Sequence, residues 1–158
     1  MSIAPLPSSL RLWALTWLLA LLCGVARAGP AEARPAAPNP REWATAQCVA
    51  ALDVQTEALA LQVKAGRADL RGLLRARLKS GAAFIGQAWL DGERDEARSQ
   101  SLLKQALEAQ RGLSAADLAA RQNRCAAEAD KLLDQANALS RAVVSRLADR
   151  RMKKLLEG

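Results

Sequence analysis

The residues with the clearest chemical potential in this sequence are two cysteines, Cys48 and Cys125. The chain of 158 residues contains no histidine, so neither cysteine has an imidazole that could activate a thiolate or complete a zinc site. Histidine is also the commonest general base and transition-metal ligand, and only a carboxylate pair on the helix faces remains as an enzymatic arrangement. The sequence therefore predicts a non-enzymatic protein with no metal site and no cofactor.

The same two cysteines predict a disulfide if the chain is exported. An even pair of cysteines is normally oxidised outside the cytosol, whereas cytosolic cysteines are normally free thiols. A bridge between Cys48 and Cys125 closes a long loop, for which the chain-entropy model gives up to about 4 kcal/mol of stabilisation. That contribution is comparable to the net stability of a small domain.

The prediction of export comes from the N-terminal stretch LWALTWLLALLCGVARAGP. Its apolar run, residues 12–26, is shorter than the roughly 20 residues that span a bilayer as a helix. Residues 26–28 read Ala-Arg-Ala, the small-x-small pattern of signal peptidase sites, which predicts a cleaved signal peptide over residues 1–28 and a periplasmic or secreted bacterial protein. An uncleaved anchor and lipid attachment at Cys23 remain alternatives, although Leu22 stands where the lipoprotein motif has a small residue.

Charge and composition describe a mildly basic chain behind the signal peptide. The formal charge of +7 becomes +5 when Arg11 and Arg27 leave with residues 1–28. This charge density is below that of a dedicated nucleic-acid-binding protein, so no nucleic-acid partner is expected. Residues 29–40 hold four of the six prolines and predict a flexible tether, whereas residues 41–158 hold none and predict one helical domain.

The helical domain is predicted to be an all-α, antiparallel four-helix up-down bundle, because strong helix formers dominate it and its connections are short. Asn39 and Glu42 resemble a capping box at the start of the first helix, and Pro40 suits its first helical position. The predicted helix breaks lie at Gly66, Gly92 and Gly112. On the second helix, the predicted buried stripe consists of Leu70, Leu74, Leu78, Gly81, Ile85 and Trp89.

The fourth helix of this bundle is over-long. It begins after Ser114 and runs for about 42 residues, which is about 63 Å, against about 28 to 39 Å for its partners. Its end must therefore overhang, fold back or pack on another subunit. Helical apolar spacing continues into the excess length, so Leu139, Val143 and Leu147 are candidate interface residues for a partner protein or a homodimer.

Two groups of basic residues are candidates for binding an anion or an anionic surface. The first group recurs every fourth residue on the second helix and comprises Arg67, Arg71, Arg75 and Lys79. In the ordinary interpretation these side chains face water or pair with acids on adjacent helices, such as Asp53 and Glu57. In the functional interpretation they form an anion-binding stripe.

The second basic group lies at the C-terminus and carries +4 of the +5 charge, after allowance for Asp149 and Glu157. Its members are Arg141, Arg146, Arg150, Arg151, Lys153 and Lys154. Cations complement the dipole at any helix C-terminus, which is the ordinary interpretation. Because apolar residues alternate with these cations, the segment also resembles a surface-binding amphipathic helix, and peripheral attachment to an anionic envelope surface is the alternative function.

Overall fold

The computed structural model describes residues 38–157, which form five α-helices without a strand among them. The helices are α1 (Pro40–Lys64), α2 (Arg71–Leu90), α3 (Glu96–Arg111), α4 (Ala115–Gln135) and α5 (Ala138–Glu157), and a 3₁₀ turn at Ala68–Leu70 precedes α2. The all-helical prediction is confirmed for this part of the chain. The predicted signal peptide, its cleavage site and most of the predicted tether lie outside the described residues.

Local sequence signals explain where most of these helices begin and end. The predicted capping box is present at α1, where the Asn39 backbone N–H donates to Glu42 Oε2 at 3.1 Å. Gly66 and Gly92 follow α1 and α2 with φ angles of 100° and 92°, a left-handed conformation that glycine adopts without a steric penalty. The Ser114 hydroxyl accepts a backbone N–H at the start of α4.

The predicted disulfide between Cys48 of α1 and Cys125 of α4 is confirmed, with the two Cα atoms 5.3 Å apart. Both residues are buried, and they belong to a cluster that includes Leu52, Phe84 and Ala129. The bridge therefore joins two helices from within the apolar core, where water and reductants have little access.

Helix α1 is the central element, since it contacts each of the other four helices. Its first turns pack on α3 through Ala46, Ala50 and Leu102, and its last turns pack on α2 and α5 through Leu59 and Val63. Two buried glutamines also reach its backbone from α3 and α4. The Gln110 side chain donates to the Gln47 carbonyl at 3.4 Å, and that of Gln122 donates to the Ala51 carbonyl at 3.2 Å.

The predicted over-long fourth helix is wrong, because the chain forms two helices there. Ala136 leaves the helical conformation with a ψ angle of 145°. Asn137 then caps a new helix, since its side-chain oxygen accepts the Ser140 backbone N–H at 2.8 Å. The structure therefore contains five helices within residues 38–157 rather than the predicted four, and none of the five has the combination of length and apolarity that spanning a membrane requires.

Helix α5 folds back onto its own chain, which is one of the three alternatives that the sequence left open for the excess length. Val144 and Ala148 are buried, and Met152 packs on the cluster that contains Leu74 and Leu78 of α2. Two ion pairs flank this contact. They join Arg75 to Asp149 at 2.5 Å and Arg151 to Asp53 at 3.4 Å.

Candidate functional site

The candidate functional site is an apolar groove of about 560 Å³ between the last turns of α2 and the first turns of α5. The end of α4 forms its floor, through Leu132 and Leu133. The principal side chains of its two walls are Trp89, Leu90, Leu139, Val143 and Leu147, and the small residues Ala82 and Gly86 of α2 also line it.

This groove is lined by most of the large apolar side chains that are exposed within residues 38–157. Within residues 38–157, eight large apolar side chains are exposed, and five of them line the groove. The most exposed are Leu139 and Leu90, at 74% and 73%, followed by Trp89 at 58%. Single exposed leucines are ordinary on protein surfaces, but a contiguous apolar patch of this kind is typical of a binding site.

The helix break at Asn137 produces the groove. It turns α5 back along α2, and the two helices run in opposite directions, since Arg75 pairs with Asp149 while Leu90 and Leu139 line the same groove. Near Gly86 the walls stay apart, because a Cβ atom at this position would meet nothing within 4 Å. The site is therefore open space between two helices rather than a gap in the core.

The three interface residues expected from the sequence all lie on the α5 wall of this groove. Leu139, Val143 and Leu147 are 74%, 48% and 47% exposed, while Val144 and Ala148, one position further along the chain from the latter two, are buried. Ala148 belongs to the cluster that α5 forms with α1 and α2, and Val144 lies where the groove meets the core. Helix α5 thus has two apolar faces. One completes the core, and the other is left at the surface.

Sequence reasoning missed the α2 wall of the groove. Ile85 and Trp89 were expected on the buried stripe of α2, but both are 58% exposed, and Phe84 is buried instead. The guanidinium carbon of Arg94 lies 5.3 Å from the centre of the Trp89 ring and covers one of its faces. A tryptophan at the end of a helix, beside the Asp91-Gly92 turn, is the one sequence signal that could have indicated a rim position.

The first basic group does not form one continuous stripe on α2. Arg67 lies before the 3₁₀ turn and pairs with Asp69 at 2.9 Å, and Arg75 is occupied by Asp149 of α5 rather than by the Asp53 or Glu57 expected from the sequence. Arg71 and Lys79 make no ion pair within the described part of the chain. The group therefore connects helices at Arg75, pairs locally at Arg67, and within the described residues is both exposed and without an ion pair only at Arg71, since Lys79 is half-buried.

Three members of the C-terminal basic group make a polar contact with the described part of the chain, and the other three make no ion pair there. Arg151 pairs with Asp53, Lys153 lies 4.0 Å from Glu157, and Arg141 donates to the Ala136 carbonyl. The other three are exposed and make no ion pair with any residue between 38 and 157. These three are Arg146, Arg150 and Lys154.

A second cavity, of about 430 Å³, is polar and lies beside the start of α1 and the connection between α2 and α3. Its lining includes the Glu42 and Glu93 carboxylates, which are the nearest match to the carboxylate pair that an enzyme would use. Glu42 Oε2 accepts from Arg98 at 2.7 Å, and this hydrogen bond lowers the pKa of Glu42. Partial burial, with repulsion from Glu42 and Asp91, raises the pKa of Glu93. Because Glu42 Oε2 also accepts the Asn39 N–H, we assign the carboxylate to holding α1 and α3 together.

We expect the ion pair of Glu42 with Arg98 to make stability acid-sensitive. The lowered pKa means that folding opposes protonation of Glu42, so its contribution is complete above the ordinary value of 4.5 and disappears as the pH falls through the folded-state value. Urea unfolding of the wild type and of Glu42→Gln should therefore differ more at pH 7 than at pH 3. Glu108→Gln, which removes a solvent-exposed pair with Arg111, is the matched control and should change little at either pH.

The opposite result for Glu42 would be a difference in unfolding free energy that stays constant between pH 7 and pH 3. In that case the carboxylate contributes through helix capping alone, and its charge has no role in joining α1 to α3.

Within residues 38–157, no three cysteine, aspartate or glutamate side chains converge in an arrangement that could hold a metal ion. Comparison of the chain with protein-family models, with curated proteins and with solved structures finds no match.

Proposed function

We propose that this is an exported, non-enzymatic binding protein whose groove receives an amphipathic helix of another protein. The observation that carries the proposal is the apolar groove between α2 and α5, which is lined by five of the eight exposed large apolar side chains within residues 38–157. Helix-in-groove recognition uses such a site, because apolar side chains at successive turns of the incoming helix fill a groove between two helices.

The dimensions of the groove support a helical ligand. Leu139 and Leu147 are eight residues apart on α5, so the apolar wall is about 12 Å long, which matches two to three helical turns of a partner. The groove is concave, and a ridge of side chains can enter it, whereas a flat lipid surface reaches only its rim. We include in the proposal an up-and-down arrangement of the helices, in which α2 and α5 are the antiparallel walls.

The disulfide supports the export part of the proposal. A buried bridge between Cys48 and Cys125 is typical of proteins that fold outside the cytosol, and the signal-peptide pattern over residues 1–28 points the same way.

Site-specific photo-cross-linking in the producing cell tests this function. A benzophenone side chain at Leu139 should give an adduct with one other protein, because it lies inside the groove. The matched control is Leu61, an equally exposed leucine on α1 outside the groove, which should not give this adduct. Gly86→Leu should abolish the adduct at Leu139, since it fills the space between the walls and leucine favours a helix more than glycine does.

Three outcomes would contradict the proposed function. An adduct of twice the mass of the chain would assign the groove to a second copy of the protein. A lipid adduct would favour the alternative, attachment to an anionic envelope surface, for which the exposed C-terminal cations are the supporting observation. Equal adducts from Leu139 and Leu61 would show that the groove has no special role.

A further inference from the structure

We infer that the helix received by the groove is acidic at one end, with carboxylates on the same face as its apolar residues. This inference rests on the proposed function and specifies the chemistry of the partner. The observation behind it is that the exposed face of α5 continues beyond the groove as a row of cations.

The apolar and basic residues of α5 form one continuous stripe. Leu139, Val143 and Leu147 are followed at helical spacing by Arg150 and Lys154, so the face changes from apolar to basic along a line of about 22 Å. A helix that lies along this line meets leucine and valine side chains first, with the Arg146 guanidinium beside Leu147, and meets Arg150 and Lys154 next. Its complement is an apolar segment followed by carboxylates.

The cations on this stripe differ from their neighbours in having no counter-ion among residues 38–157. Arg75 and Arg151 are satisfied by Asp149 and Asp53, at the junction with α2 and α1. Arg146, Arg150 and Lys154 recur every fourth residue on the open side of α5 and make no ion pair within residues 38–157. Like charges at this spacing repel each other, and an anionic partner relieves the repulsion.

Charge therefore supplies a directional preference that apolar contact cannot supply. An apolar ridge can enter the groove in either direction, but only one orientation places carboxylates over the row of cations. Electrostatic complementarity of this kind selects partners and orientation and raises association rates.

Binding of synthetic helical peptides, measured by fluorescence anisotropy with the oxidised protein, tests the inference. Each peptide has leucines at alternating three- and four-residue spacing in one half, and glutamates, glutamines or lysines at the same spacing in the other. Versions with the charged half at either end cover both orientations. We expect one of the two glutamate peptides to bind about tenfold more tightly than its glutamine counterpart at low salt, since three exposed ion pairs are modest contributors.

The triple variant Arg146→Gln, Arg150→Gln, Lys154→Gln should remove this preference while it continues to bind the glutamine peptide. The matched control is Lys64→Gln, Lys104→Gln, Arg124→Gln. It removes three exposed basic residues that lie outside the groove and outside any ion pair in the described part of the chain, and it should retain the preference.

The inference and the proposed function fail differently. Equal affinity for glutamate and glutamine peptides, with both lost in Gly86→Leu, overturns the acidic partner and leaves the groove as a helix-binding site. No saturable binding of any peptide overturns both. Co-sedimentation with phosphatidylglycerol vesicles that exceeds peptide binding and is lost in the Arg146, Arg150 and Lys154 variant overturns the inference in favour of a lipid surface.

Discussion

Replacement of Cys48 and Cys125 by alanine lowers the free energy of unfolding by up to about 4 kcal/mol, the largest effect that we expect from any pair of substitutions. The two residues are 77 positions apart, so the bridge removes much of the conformational freedom of the unfolded chain. Both are buried, and alanine is chosen because it leaves no unpaired hydroxyl group in the core.

Denaturant unfolding of three samples measures this effect. These are the oxidised wild type, the wild type with reductant, and the double alanine variant. The two samples without the bridge should unfold at similar, much lower denaturant concentrations, and reductant should not change the variant. A wild-type protein that reacts with two equivalents of thiol reagent before reduction would show that the bridge does not form, and the assignment to an oxidising compartment would lose its structural support.

Leu74→Ala has the largest expected effect among single substitutions away from the bridge, about 3 kcal/mol of unfolding free energy. Leu74 is completely buried where α2 meets the last turns of α1 and the returning α5, in the cluster that contains Val63 and Ala148. Removal of its three outer carbon atoms leaves a cavity among three helices, and a cavity between several elements collapses less readily than one under a loop.

The adjacent residue provides the control. Leu73 is 40% exposed, so Leu73→Ala should change the unfolding free energy by only about 0.5 kcal/mol. Urea unfolding monitored by circular dichroism measures both variants. Similar losses for the two leucines would mean that α5 does not cover Leu74, and the groove that depends on the return of α5 would have to be abandoned with it.

The sequence predicted where the helices begin and end better than which of their faces are covered by neighbouring helices. The capping box at Asn39, the cap at Ser114 and the turns at Gly66 and Gly92 depend on hydrogen bonds and backbone angles within a few residues, and the structure contains them all. The disulfide followed from the two cysteines that remain after the predicted removal of residues 1–28 with Cys23. These features are local or compositional, so one sequence is enough to find them.

The break at Asn137 was missed because the segment Ala136-Asn137-Ala138 contains neither glycine nor proline. Asparagine is a strong N-cap, but within a long run of helix formers it also fits an uninterrupted helix. The end of α4 allows α5 to fold back, and burial of Ala148 and Met152 against α1 and α2 favours that arrangement. This burial depends on tertiary packing, which no local sequence signal reports.

The α5 wall of the candidate site could be predicted from the sequence, but the α2 wall could not, because its exposure also depends on tertiary packing. Leu139, Val143 and Leu147 were found because their spacing shows an apolar face with no evident partner. Trp89 was assigned to the core, because periodicity shows which face of α2 is apolar but not how far the neighbouring helices cover it. The groove lies where the neighbouring helices no longer cover the apolar face of α2.

The position of the disulfide divides the domain into a part that the bridge cross-links and a part that it does not. The covalent ring closed by Cys48 and Cys125 includes α2 and α3. Helix α5 begins after Asn137, outside this ring, and is attached to the rest of the domain by a single backbone connection and by side-chain contacts. Swinging α5 outward breaks no covalent bond and leaves the ring closed. Such a movement widens the groove between α2 and α5 at the cost of the contacts that bury Ala148, and it does not require unfolding of α2 and α3.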